Sequence, residues 1–267
     1  MHVSNSFSQK VPLRLEDRKS EMTNNVAKKL VDIIEMKKTN LIVAADVGTK
    51  AELLELAEKV GDKICALKLH IDMVNDFDFD LIEQLKQLAQ DHNFLIIEDK
   101  KFGDIGSTEQ AQYRDGVHKI VEWADIVTVH AICGLESLNA LEQVAKKHNQ
   151  GPRGAMLVVQ LSCKGNLIDE NYTQKALDIA KQSNFVIGVV AQDSFDIPSL
   201  ITFTPGVNIV DKGDNLGQQY NSPEHVVGKK GADVIIVGRA IYNAKDQSGE
   251  AEKYRQIAWD VYNNRNK

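Results

Sequence analysis

Proline and cysteine are scarce in this chain: its 267 residues include five Pro and three Cys. Five prolines with 17 glycines are too few for a collagen-like or low-complexity chain, and a hydrophobic share of 43% is ample for a buried core. The cysteines, Cys65, Cys133 and Cys163, are odd in number and too far apart in sequence for a CxxC motif. That argues against a disulfide framework and fits a reducing cytoplasm. Long apolar runs are missing as well. The longest, such as Phe185 to Ala191, fall far short of a bilayer span, and the first 40 residues mix Lys, Arg, Asp and Glu without the apolar stretch of a signal peptide. No polybasic run occurs, and 32 Lys+Arg against 38 Asp+Glu give a formal charge of -6. These absences argue against nucleic acid or a membrane as partner and for a soluble cytoplasmic protein.

What is present is a repeating pattern. Eight short runs rich in Val, Ile and Leu occur at Leu41 to Ala45, Ile64 to Leu69, Phe94 to Ile97, Ile126 to Val129, Ala155 to Val159, Phe185 to Val190, Leu200 to Phe203 and Val234 to Val237. They are continuous rather than alternating, as parallel strands buried on both faces require. Helix-period segments lie between them, such as Leu53, Leu54, Ala57 and Val60 after the first run, or Leu81, Ile82, Leu85 and Leu88 after the second. Thr49 with Glu52 and Ser107 with Gln110 have the spacing of capping boxes, while Ser222-Pro223 reads as a cap followed by Pro at the first helical position.

Eight strand-helix units without a Pro/Gly/Ser-rich linker predict an α/β fold, a single closed (β/α)8 barrel rather than a doubly wound sheet. An amphipathic stretch at Val26 to Met36 is expected to cover the barrel floor. Residues 25–267 then form the barrel domain, and residues 1–24 a polar, frayed extension or linker remnant. A short helix is expected within Gln192 to Ser199, and the long polar segment Gly206 to Tyr220 reads as a functional loop. Trp123 and Trp259 follow helical periodicity and read as core.

Barrel enzymes place chemistry where strands end. The first run ends in Asp46, the second in Lys68 and His70, and the third in Glu98-Asp-Lys-Lys-Phe-Gly-Asp104. Asp99 and Lys101, two apart, point the same way in an extended segment. Lys68, Asp99, Lys101 and Asp104 would make an array of two ammonium and two carboxylate groups, although a charged loop with loosely paired side chains accounts for the spacing equally well. His70, His130 and Cys163 read as packing residues or satisfied hydrogen-bonding groups rather than catalysts, since nothing pairs them into a dyad.

The run from Phe94 to Thr108 resembles the signature of the orotidine 5'-phosphate decarboxylase family in its eukaryotic form. Further similarity lies at Thr39 to Val47, Lys68 to Asp72, Leu161 to Gly165, Thr204 to Gly206, Gly213 to Tyr220 and Val234 to Arg239, spread over roughly residues 25 to 262. The resemblance implies decarboxylation of orotidine 5'-monophosphate to uridine 5'-monophosphate, with neither cofactor nor metal. It makes Lys68, Asp99, Lys101 and Asp104 a charged catalytic tetrad. Asp104, Ile105 and Thr108 are then lent to the neighbouring subunit of a homodimer with shared sites. It gives Asp46 to a ribose hydroxyl, Ser162 to the pyrimidine edge, and Gln218, Tyr220 and Arg239 to the phosphate, with Pro205 and Gly238 in the substrate-binding set.

Ala44, Leu69, Lys100 and Gln160 stand where the family commonly has Ser, Thr, Arg and Glu. Of these, Ala44 and Leu69 are expected close to the site. Animal members are typically fused behind an orotate phosphoribosyltransferase, and Val3 to Glu21 has the polarity of such a linker. Two other readings share these features: a metal-dependent sugar-phosphate aldolase or decarboxylase carrying D-x-K-x-x-D, and a catalytically dead barrel kept as a binding module. Lys68 argues against the first and the complete tetrad against the second.

Overall fold

The computed structural model describes residues 12–148, 150–210 and 217–265. Eight parallel strands pair in chain order and close on themselves: β1 (Leu41–Ala45), β2 (Ala66–Leu69), β3 (Leu95–Phe102), β4 (Ile126–His130), β5 (Gly154–Val158), β6 (Val186–Val190), β7 (Ile201–Thr204) and β8 (Val234–Val237). Closure comes from β1 against β8, with Leu41 opposite Ile235 and Val43 opposite Val237. Every residue of β1, β2, β5, β6, β7 and β8 is buried. An apolar interior on one side and a helical layer on the other explain why these segments are apolar at successive positions.

The outer layer comprises α2 (Lys50–Val60), α3 (Phe79–Asp91), α4 (Gly106–Arg114), α5 (Leu135–Lys147), α6 (Glu170–Gln182), α7 (Arg239–Tyr242) and α8 (Gln247–Asn263), after α1 (Asn25–Lys37) at the start. The Thr49–Glu52 capping box is formed in full. Ser222 caps a π-helical turn, Glu224–Lys229, its Oγ accepting the His225 N–H at 3.3 Å.

Two expected helix features are absent. Ser107 does not cap, because α4 already begins at Gly106; Glu109 instead reaches back, its Oε1 accepting the Asp104 N–H at 3.4 Å. No helix forms between β6 and β7, where Pro198 lacks an N–H to donate. Gln160 Oε1 instead accepts the Gln192 and Asp193 N–H groups, at 2.8 and 3.0 Å.

α1 crosses the barrel floor as its periodicity predicts. At one end Lys37 Nζ donates to the carbonyls of Gly61, Ile64 and His92 at 2.7 Å, and at the other Asn24 Nδ2 donates to the carbonyls of Arg153 and Asn184 at 3.2 and 3.0 Å. The stretch before α1 is not frayed over residues 12–24. It forms a 3-10 helix, Glu16–Glu21, with Leu15 and Met22 buried. Arg18 NH2 lies 2.5 Å from Asp233 Oδ2 just before β8, and Arg265 NH1 lies 3.1 Å from the other oxygen of the same carboxylate. Polar composition hid these two apolar anchors and a buried ion pair. Trp123 and Trp259 lie in the core, as their spacing implies.

Candidate active site

A cavity of about 340 Å3 opens at the C-terminal ends of the strands. Its wall takes Ala44 from β1 and Asp46 just after it, Lys68 from β2 and His70 just after it, Asp99 and Lys101 from β3, and Thr128 from β4. Beyond these it takes Ser162 and Cys163 after β5, Pro205 and Gly206 after β7, and Gly238 and Arg239 after β8.

Asp99 is the centre of the charged cluster, and four groups fill its carboxylate. Lys68 Nζ donates to Oδ2 at 2.7 Å, and His70 Nε2 lies 3.2 Å from the same oxygen. Lys101 Nζ and the Thr128 hydroxyl both donate to Oδ1 at 2.8 Å. Burial opposes the charge on Asp99, but the Lys68 ammonium, the His70 ring and Lys101 together hold its carboxyl well below the usual carboxylate range. Burial likewise opposes the charge on Lys68, while Asp99 and Asp46 hold its ammonium above the ordinary lysine value. Asp46 Oδ1 lies 3.5 Å from Lys68 Nζ and, buried, accepts no hydrogen bond among the described residues, an acceptor suited to a ligand hydroxyl.

Simple alternation along β3 does not bring Asp99 and Lys101 together. Pairing with β4 jumps from Glu98–Val127 to Phe102–Val129, and Lys101 adopts a left-handed backbone with φ +51°. This bulge turns the Lys101 side chain back onto Asp99. Glu98, on the opposite face of β3, is fully buried and accepts the Ile71 N–H at 3.1 Å; burial pushes its carboxyl up to about 8.

The other side of the cavity is held by loops. Ser162 Oγ donates to Gln218 Oε1 at 3.2 Å, and Cys163 pairs with Gln218 in an antiparallel bridge. Gly206, at φ +78°, lies so close to the returning chain that a Cβ there would stand 2.7 Å from Gln218 Nε2 and 2.8 Å from the Gln219 carbonyl. The Arg239 guanidinium lies 5.7 Å from the centre of the Tyr220 ring. Part of the Gly206 to Tyr220 segment, residues 211–216, lies outside the described residues.

Of the residues singled out from sequence, Asp46, Lys68, Asp99, Lys101, Ser162, Pro205, Gln218, Tyr220, Gly238 and Arg239 meet in this cavity. Asp104, Ile105 and Thr108 do not: they sit at the outward-facing start of α4, with Ile105 67% exposed. One chain therefore brings Lys68, Asp99 and Lys101 together in its own cavity and leaves Asp104 outside it. His70 takes the second of its two expected roles, a ring satisfied by a partner: it lies in the cavity wall against Asp99, just past the end of β2 and two residues after Lys68. Thr128 was missed, although a polar residue inside an apolar strand run marks it. Cys163 lines the cavity, whereas His130 and Leu69 do not.

Comparison with known proteins agrees with this geometry. Residues 39–254 match the model of the orotidine 5'-phosphate decarboxylase / HUMPS family. The chain is 46% identical over 244 residues to the orotidine 5'-phosphate decarboxylase of Aureobasidium pullulans, covering 90% of this chain and 89% of that protein. It is 44% identical over 242 residues to the uridine 5'-monophosphate synthase of Bos taurus, covering 90% of this chain but spanning only 50% of that longer relative. The solved orotidine 5'-monophosphate decarboxylase of Methanocaldococcus jannaschii, complexed with the inhibitor BMP, superposes with a TM-score of 0.65 at 26% identity, over 82% of this chain and 98% of that one. Because the family match runs through all eight strands and every cavity-lining position named above, the chain belongs to the orotidine 5'-phosphate decarboxylase / HUMPS family.

Proposed function

We propose that this chain decarboxylates orotidine 5'-monophosphate to uridine 5'-monophosphate and CO2, the last step of de novo UMP biosynthesis, without a cofactor. The observation that carries the reading is a buried Asp99 carboxylate held between the Lys68 and Lys101 ammonium groups on the cavity wall. Heterolysis of the bond to the departing carboxylate leaves an electron pair on C6 of the pyrimidine, where no adjacent π-system takes it up. The site must stabilise that charge with groups already in place. Lys101 is the group for this, and its ammonium supplies the proton that C6 acquires. Asp99 sets a like charge beside the leaving carboxylate, and Lys68 keeps Asp99 and Asp46 in register.

Substrate binding is shared among the remaining side chains. Asp46 takes a ribose hydroxyl and Ser162 the pyrimidine edge. Gln218, Tyr220 and Arg239 take the phosphate, supported by Pro205 and Gly238; a phosphate near the loops after strands seven and eight suits a barrel of this kind. Asp104, Ile105 and Thr108 complete the site of the neighbouring subunit in a homodimer, a reading supported by their place outside their own chain's cavity, with Asp104 half-buried and Ile105 and Thr108 exposed. The functional unit is the barrel of residues 25–267 with the packed segment 12–24 beneath it, acting on a small molecule in the cytoplasm, with neither nucleic acid nor membrane as partner.

Ultraviolet measurement of orotidylate turnover tests the proposal. Turnover that is insensitive to EDTA and not raised by Mg2+ is expected. No turnover would remove the reading, and activity lost in EDTA and restored by Mg2+ would favour a metal-dependent aldolase.

A further inference from the structure

Thr128 lies in the middle of β4, buried at 2% exposure, opposite the break in the ladder to β3. Residues 99–101 of β3 face this one residue of β4, since the flanking pairs are Glu98–Val127 and Phe102–Val129. A bulge withdraws backbone groups from the ladder, and a buried N–H must then find another acceptor. Here the Lys101 N–H donates to Thr128 Oγ1 at 2.8 Å, and the same hydroxyl donates to Asp99 Oδ1 at 2.8 Å. The direction is forced. The amide can only donate and the ionised carboxylate can only accept, so the atom between them must do both.

We propose that Thr128 is a positioning residue for the reaction, fixing at once the orientation of the Asp99 carboxylate and the left-handed backbone from which the Lys101 side chain departs. Through these two contacts it sets where the Lys101 ammonium stands relative to Asp99. The inference rests on the decarboxylase reading of the site. Valine has the same shape as threonine but neither donates nor accepts, so it would orphan the Lys101 amide and leave Asp99 Oδ1 to the Lys101 ammonium alone. The loop residues that face the phosphate are untouched by this change, so the loss should fall on the chemical step.

Thr128→Val and Thr128→Ser in the full chain provide the test. For Thr128→Val, kcat on orotidylate should fall by about 10- to 100-fold with KM within about threefold of wild type, and Thr128→Ser should recover kcat to within about threefold. Exchange of the Lys101 amide, followed by 15N NMR without ligand, should be at least about tenfold faster in the valine variant and unchanged in the serine variant. An unchanged kcat in Thr128→Val would overturn the proposal. So would a raised KM with kcat preserved, or a serine variant as impaired as the valine one. If Thr128→Val does not fold, Thr128→Ala carries the same expectations. Should the wild type itself not turn over orotidylate, the decarboxylase reading fails on its own, and the amide exchange still decides whether the hydroxyl holds Lys101.

Discussion

If Arg239 holds the phosphate and Lys101 serves the reacting carbon, as proposed, single substitutions separate the two. Arg239 follows β8 while Lys101 belongs to β3, with β1 and β2 between them in the barrel wall. Arg239→Ala should therefore cost kcat/KM on the nucleotide about 3 kcal/mol, roughly two orders of magnitude, through loss of a charge-assisted contact. On phosphate-free orotidine it should change little, and equal proportional losses on both substrates would contradict the assignment.

Glu98 offers a different readout, because its buried carboxyl titrates at about 8 in the fold against an ordinary 4.5. The folded state holds this proton after the unfolded chain has released it. The stability Glu98 contributes is thus full below about 4.5 and is lost as the pH rises through about 8. Glu98→Gln keeps an acceptor for the Ile71 N–H and has no charge to bury. Melting curves should show the variant gaining on wild type between pH 5 and 8, by an amount on the order of a few kcal/mol at the upper end. Parallel curves would show that Glu98 does not titrate this way.

At the scale of elements, the loops after β5 and β7 form one wall because the chain returns against itself. The Asn221 N–H donates to the Gly206 carbonyl and the Asn208 N–H to the Asn221 carbonyl, both at 3.0 Å, while the Lys164 N–H donates to the Gly217 carbonyl at 2.9 Å. Gly206 is where this stitching allows no side chain. Its φ is left-handed, and a methyl group would meet Gln218, the Gln219 backbone and Ser162 at 3.1 Å or less. Gly206→Ala should raise KM for the nucleotide about tenfold or more by displacing Gln218 and Tyr220, with kcat less affected, as steady-state kinetics would reveal. A KM within twofold of wild type would mean the wall accommodates the methyl group without moving Gln218 and Tyr220.

For the whole molecule the arrangement to test is the shared site. If Asp104 serves the partner while Lys101 serves its own chain, Lys101→Ala and Asp104→Ala homodimers should both be nearly inactive. In a mixed dimer one site carries both lesions, and the other, taking Lys101 from one chain and Asp104 from the other, is wild type. Random exchange at equal concentrations makes about half the dimers mixed with one good site each, so about a quarter of wild-type activity should return. Activity that stays at the level of the separate mutants, with exchange demonstrated, would place Asp104 in the site of its own chain.

The eight strands, their parallel order and the floor helix were legible in the sequence, because burial on both faces writes itself as a continuous apolar run and burial on one face as a helical period. So was the Thr49 cap, which needs only residues within one turn. The extension of β3 to Phe102 was not legible. Its last residues are charged, and only the tertiary pairing of Phe102 with Val129 keeps them in the sheet. Nor could the sequence show that residues 12–24 pack beneath the barrel, since Arg18 finds Asp233 only when both lie at the foot of the closed sheet. The charged residues could be named from their spacing and from a family resemblance, but the four partners of Asp99 come from β2 and the residue just after it, from β3 and from β4. Their meeting within 3.2 Å of one carboxylate, His70 and Thr128 among them, follows from barrel closure and the bulge at Lys101, neither of which is a local property of the chain.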